Sequence, residues 1–191
     1  MAAGAGRRFG QPKALARVGG RSLVRRGCDV LAAGGCARVH VVVGAHAEQV
    51  RAELRSGETA VSAPDWHTGM AASLRAGLAS LTEGCSPPAA ALLHLVDLPD
   101  VPAAAVRRVA EHAAPGAVAR ACYGDVPGHP VLLGRHFWDE VRDSLSGDSG
   151  AREWLRARRD LIPVECGDLA TGGDADTPAE LNSYPGGCDD S

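Results

Sequence analysis

The order of apolar segments along this chain predicts an α/β fold, a mostly parallel sheet with helices on both faces. Three observations predict it. Residues 37–44 are a β-branched run ending in Gly44, which reads as a buried strand. Residues 89–96 are a second run of that kind. Between them, Met70, Leu74, Leu78 and Leu81 recur at helical spacing. Segments that alternate between periods of two and 3.6 stack into a sheet covered on both faces.

Taken in order, 22–33 is an expected helix with Leu23, Gly27, Val30 and Leu31 on one face, followed by the strand at 37–44. A short helix at 46–55 carries Val50 and Leu54, and a short strand follows at 59–62. The helix at 69–81 precedes the strand at 89–96, and 102–113 is a helix with Pro102 at its start, where a missing N–H costs little. Residues 117–123 and 131–133 are strands flanking a loop, 135–145 and 151–157 are helices, 161–165 is a late strand and 177–182 a last helical turn. One domain over 1–184 is expected, with a polar tail at 185–191.

Composition narrows the function. The net charge of −3 comes with scattered basic residues, which argues against a nucleic-acid or membrane-surface partner. No apolar run approaches the ~20 residues that span a bilayer, and the N-terminus has no signal-peptide core, so a cytoplasmic location is expected. The six cysteines include no C-x-x-C pair and read as reduced thiols rather than a zinc site or a nucleophile. All but one of the 20 basic residues are arginine, and the exception, Lys13, follows a glycine-rich loop. A compact ammonium suits a crowded phosphate site better than a broad guanidinium does.

In such a sheet ligands gather at the carboxyl ends of strands. The loop 4–13, with Gly4, Gly6 and Gly10, can turn backbone N–H groups toward an anion, and Arg8 and Lys13 add charge. It is neither a dinucleotide fingerprint nor a Walker A loop, and alone it is also compatible with a plain turn. Asp97 follows the strand at 89–96, where a hard oxygen donor suits Mg²⁺; Asp100 is assigned to capping the next helix. Asp174 and Asp176 form a second acidic loop, although Asp176-Thr177-Pro178 is equally an ordinary helix start. Gly69 and Ser73 begin the best helix, whose N-terminus can face an anion. His129 lies between Gly128 and Pro130 and is either a substrate contact or structural, and His94 reads as a satisfied core histidine.

Together these residues form a familiar set. Ala2-Ala3-Gly4-x-Gly6-x-Arg8-x-Gly10-x-Pro12-Lys13-x-Leu15 resembles the signature loop of the molybdenum cofactor nucleotidyltransferases, in particular the molybdopterin cytidylyltransferase branch. Pro64-Asp65-Trp66-x-x-Gly69-Met70-x-x-Ser73-Leu74, Asp97-x-Pro99, Gly128-His129-Pro130-Val131, Gly147-Asp148-x-Gly150-Ala151-Arg152 and Asp174-x-Asp176-Thr177-Pro178 follow in the family's order. The resemblance implies a Rossmann-like fold of the nucleotide-diphospho-sugar transferase type and transfer of NMP, CMP from CTP first and GTP second, to the phosphate of molybdopterin. It implies Lys13, Arg8 and Asp97 as catalytic residues. Ala2, Ala3, Gly4, Gly6, Arg8, Lys13, Pro64, Gly69, Ser73 and Asp97 would contact the nucleotide. Asp97 and Asp176 would hold Mg²⁺, and His129 and Arg152 would face the acceptor. A molybdenum hydroxylase or its chaperone is an implied partner. Another phosphorylated acceptor, a sugar or alcohol phosphate, or a non-catalytic nucleotide-binding role is the alternative. The family carries an apolar strand just before the Ala-Ala-Gly string, where this chain has Met1, so translation is expected to start upstream.

Overall fold

In the computed structural model of the chain, which describes residues 1–6, 9–83 and 86–184, the N-terminal loop leads into a tight hairpin of β1 (Arg17–Val18) and β2 (Arg21–Ser22). Gly19 and Gly20 turn it at positive φ, and the sequence reading does not include this hairpin. Ser22 then caps α1 (Leu23–Ala33), its hydroxyl accepting from the Arg25 N–H at 3.3 Å. β3 (Val39–Val43), α2 (Ala47–Ala52), β4 (Glu58–Ser62), α3 (Met70–Thr82), β5 (Ala90–Leu93) and α4 (Ala103–Ala110) follow in the expected order. The second half contains β6 (Val118–Tyr123), β7 (Val126–Gly134), α5 (Trp138–Ser144), α6 (Arg152–Ala157), β8 (Ile162–Glu165) and α7 (Pro178–Asn182). The tail at 185–191 lies outside the described residues.

β3 and β4 pair in parallel, while β5-β7-β6-β8 form a second ladder in which only β6 and β8 are parallel. The sheet is therefore mixed. The cause is the hairpin of β6 and β7, which inserts β7 antiparallel between β5 and β6. β7 begins five residues earlier than periodicity suggests, because Pro127 and Pro130 disguise its start as a loop. A register shift between Arg120 and Cys122 absorbs the irregularity.

Side-chain alternation distributes β7 between two layers. Val131 and Leu133 pack with Leu74 and Leu78 of α3 and with Trp138 and Trp154. Leu132 faces the other way, against Ala105 and Val109 of α4. β3 does the same, with Val39, Val41 and Val43 against Val24 and Cys28 of α1, and Val42 toward Ala3 and Ala63. A second tie joins α1 to β4: Nη1 and Nη2 of Arg25 both donate to the Glu58 carboxylate. That pairing raises the arginine's pKa and lowers the glutamate's. No helix among the described residues is long and apolar enough to cross a membrane.

Residues 1–3 form the seam between the two ladders. Ala2 bridges Val43 in parallel and donates to the Val42 carbonyl at 2.9 Å, and Ala45 donates to the Ala3 carbonyl at 3.0 Å. On the β5 side the Met1 amino group donates to the His94 carbonyl at 2.7 Å. Continuing this line away from the glycine loop is a cavity of about 310 Å³. It is lined by Val39 and His40 of β3, Ala91 and Leu93 of β5, and Leu31 and Leu78 from helices on either face. Its walls are those of a strand position. Five apolar β-branched residues placed ahead of Met1 should fill it. At about 1.5–3 kcal/mol per buried side chain, two such residues should raise the melting temperature by roughly 5 °C or more. An unchanged melting temperature in a thermal scan would show that the cavity does not accept a strand.

Candidate functional site

The glycine loop owes its shape to Gly6. This residue has φ 62°, and a Cβ there would lie 1.9 Å from the Gln11 carbonyl oxygen. The Phe9 and Gly10 N–H groups both donate to the Gly6 carbonyl, at 2.9 and 3.0 Å, and close the turn. A single 3-10 turn at Lys13–Leu15 then sends the Lys13 side chain across the seam. Its Nζ donates to Asp97 Oδ2 at 3.1 Å and to Asp176 Oδ1 at 2.5 Å. Burial opposes the charge on Lys13, but the Asp176 and Asp97 carboxylates outweigh it and raise the pKa.

The two acids lie on loops that brace each other. The Ala175 N–H donates to the Asp97 carbonyl at 2.9 Å. Asp100 Oδ2 accepts from the N–H and the hydroxyl of Thr171, at 2.7 and 2.6 Å. That corrects the expected capping role of Asp100: α4 is preceded by Pro102 with no side-chain cap, because Asp100 is occupied 71 residues further along the chain. After Asp176, Thr177 and Glu180 form a full capping box on α7, and the Asp176 N–H donates to Glu180 Oε2 at 2.7 Å. The helix-start reading of Asp176-Thr177-Pro178 therefore holds, and it leaves the Asp176 carboxylate paired with Lys13.

Above the loop is a pocket of about 520 Å³. Ala2, Ala3, Gly4, Gly6, Lys13 and Asp97 line one side, and Trp66, Gly69, Met70 and Ser73 line the other. Gly69 has φ 125°, and a Cβ there would lie 2.4 Å from the Gly147 carbonyl. The close approach lets the Ala71 N–H reach that carbonyl at 3.0 Å and brings Asp148 to the pocket rim.

Of the residues expected at the site, these are brought together, with Asp176 joined through Lys13. His129 and Arg152 line a side chamber of about 130 Å³ that shares Met70 and Asp148 with the main pocket. Pro64 is exposed in the turn after β4 and is not among the residues lining the pocket, where Trp66 takes that side because the chain turns between them. Arg8 lies outside the described residues. His94 is buried as expected but not satisfied, since its Nδ1 has no hydrogen-bond partner among the described residues. The sequence reading assigns no role to Trp66, Asp148 or Arg120. Only Asp148 leaves a signal, as an acid between two glycines ahead of α6.

An α/β protein with a glycine loop, a lone lysine and two convergent carboxylates at the seam of its sheet is of the nucleotidyltransferase class. The MobA-like NTP transferase domain matches residues 1–162, and the chain belongs to that family. It is 36% identical over 193 residues to the nicotine blue oxidoreductase of Paenarthrobacter nicotinovorans, covering 95% of this chain and 92% of that one. The crystal structure of Rv0371c from Mycobacterium tuberculosis H37Rv superposes with TM-score 0.79 at 28% identity, over 95% and 92% of the two chains. Its complex with manganese gives TM-score 0.74 at 25% identity, over 91% and 92%. Molybdopterin-guanine dinucleotide biosynthesis protein A from Archaeoglobus fulgidus shares the fold, with TM-score 0.65 at 14% identity, over 95% and 92%.

Two buried histidines, His94 and His129, should make the fold acid-sensitive. Burial pushes His94 down to about 3, with the Met1 amine and His129 adding to it. Burial pushes His129 down to about 4, the Leu93 carbonyl opposing and the Arg120 charge reinforcing. Unfolded histidine titrates near ~6.5, so below that pH the unfolded chain binds more protons than the folded one. Stability is then full above about pH 6.5 and falls as the pH drops toward 4. The urea midpoint should fall between pH 6.5 and 5, above the main carboxylate range, and less so for His129→Gln. A flat midpoint over that window would contradict the buried neutral histidines.

Proposed function

We propose that the chain transfers a nucleoside monophosphate, CMP from CTP before GMP from GTP, to the phosphate of a molybdopterin-type acceptor, with Mg²⁺ as its cation. One observation carries this reading: Asp97 and Asp176 converge on a single cation position, which the Lys13 ammonium takes, beside the glycine loop. Among the described residues no group of three or more His, Cys, Asp or Glu forms a metal cage. Two carboxylates completed by substrate phosphates is nevertheless how Mg²⁺ is usually held, so the donor set fits. When bound there, Mg²⁺ supplies charge neutralisation for the triphosphate. The manganese complex of the similar Rv0371c agrees with a divalent cation.

The chain's own residues then do the following. The loop at Gly4 and Gly6 presents backbone to the phosphates, and Lys13 follows the charge as it moves to the leaving group. Ser73, buried at the start of α3, and the turn at Gly69 hold the nucleoside side of the pocket. An acceptor phosphate oxygen bonds to the α-phosphorus as the bond from that phosphorus to the bridging oxygen breaks, and pyrophosphate leaves. A phosphomonoester is ionised at neutral pH, so positioning and charge are sufficient and no general base is needed. Arg8, by sequence, adds charge to this loop.

The 36% identical relative supports a second reading, an oxidoreductase, in which the same loop holds the diphosphate of a reduced dinucleotide. Pyrophosphate release from each of the four nucleoside triphosphates, with and without molybdopterin, tests the first reading. Oxidation of NADH or NADPH by a coloured aromatic acceptor tests the second. Acceptor-dependent pyrophosphate release from CTP is the expected result; turnover of reduced dinucleotide alone would replace it.

Two variants probe the site. Lys13→Ala should lose at least ~2 kcal/mol of transition-state stabilisation, the scale of a preorganised charge. Wild-type kcat/KM in that variant would remove Lys13 from the mechanism. Asp97→Asn preserves size and removes the hard anionic ligand, so activity should vanish at limiting Mg²⁺ and return in part when Mg²⁺ is raised. An unchanged Mg²⁺ dependence would exclude Asp97 as a ligand.

A further inference from the structure

The side chamber has a cationic wall that the nucleotide site does not use. Arg120, on β6, donates from Nε to the Gly128 carbonyl at 2.9 Å and from Nη2 to the Pro127 carbonyl at 3.2 Å. Both acceptors belong to β7, so the hairpin itself fixes the guanidinium. Arg152, the first residue of α6, lines the same chamber, and Arg156 follows one turn later.

Elsewhere among the described residues, arginines such as Arg17, Arg25, Arg55 and Arg108 close on carboxylates. Arg120, Arg152 and Arg156 form no such pair among those residues, although Asp148 lines the same chamber. Burial holds the Arg120 pKa below its ordinary value; Cys122 opposes it, and the charges of Arg152 and Arg156 add to the lowering. Crowded like charges of this kind are relieved by a bound anion. His129 beside them is neutral and adds no cation. Apart from Asp148 and Ser149, the rest of the wall is apolar, including Met70, Leu93, Leu95 and Leu155.

We propose that Arg120 and Arg152 bind the phosphomonoester of the acceptor, with its apolar or flat body against Met70, Leu93 and Leu95. This rests on the nucleotidyl-transfer reading above and names the residues that select its second substrate. A bidentate guanidinium suits phosphate oxygens, and a half-apolar chamber suits an aromatic body better than a free sugar.

The probe is phenyl phosphate, compared with phenol and benzoate, titrated calorimetrically with and without saturating Mg²⁺ and a non-hydrolysable CTP analogue. Wild type should bind phenyl phosphate more tightly than either control, with the analogue present or absent. Arg152→Met, whose side chain makes no hydrogen bond among the described residues, should weaken binding by about 10-fold or more. Arg120→Met should weaken it further, Arg120→Lys should retain part, and analogue affinity should stay within about twofold in all three, since the charge-assisted bonds lost are not made to the nucleotide. Equal phenyl phosphate affinity in wild type and Arg152→Met would overturn the proposal. Displacement of phenyl phosphate by the analogue would also overturn it, since the anion would then be in the triphosphate site. If wild type binds phenyl phosphate through these arginines but takes no nucleotide, the arginine site stands and the nucleotidyl-transfer reading falls.

Discussion

The Lys13 ammonium, shared between Asp97 and Asp176, is the interaction on which the rest of the site depends. Its partners lie 84 and 163 residues away, so one cation gathers three loops that have no helix or strand in common. The side chains are 17%, 24% and 33% exposed, enough for solvent to screen the pairing, so its worth lies in position more than in stability. Two carboxylates held on one cation are already arranged for another, and an ammonium on a flexible stem can move aside where a planar guanidinium could not.

That constraint explains why the flanking loops are so heavily braced. Asp97 carries a backbone bond from Ala175, Asp100 is clasped by Thr171, and Asp176 leads directly into a capping box. Each brace is a hydrogen bond to backbone or to a fixed side chain, so the two carboxylates have little freedom to separate. The glycine loop, by contrast, is shaped by a turn that only Gly6 can occupy and is tied down mainly by Lys13 itself. The site thus joins a braced acidic wall to a loop whose turn is set by Gly6.

How far sequence alone reached follows from the range of each interaction. Helices and strands were legible because a buried face imposes a period, and β3, α3 and β5 lie within a few residues of where that period places them. Lys13 and Asp97 were legible because a lone lysine after glycines and an acid after a buried strand are local facts. Asp100 was misread because capping is a local expectation, while its partner is brought in by the fold. Arg120 was invisible: it is one polar residue in an alternating strand, and its meaning depends on Gly128 across the hairpin and on α6. The antiparallel insertion of β7 was hidden by two prolines that fit an irregular hairpin as well as they fit a loop.

The seam in the sheet connects these points. The sheet has two separately paired halves, β3 with β4 and β5 to β8, while the helices cross between them: α3 packs on β3 and β4 as well as on α5, and α1 meets α4. Residues 1–3 link the halves through a few backbone bonds, and the glycine loop emerges from that link. Ligand crevices in α/β sheets form where strand order changes, and here that place is also where the sheet is most thinly joined. A ligand seated across it touches the loop, the end of β5 and the start of α3 together, so its binding energy is also energy holding the two halves in register. Any molecule that binds only the joined state stabilises it by mass action.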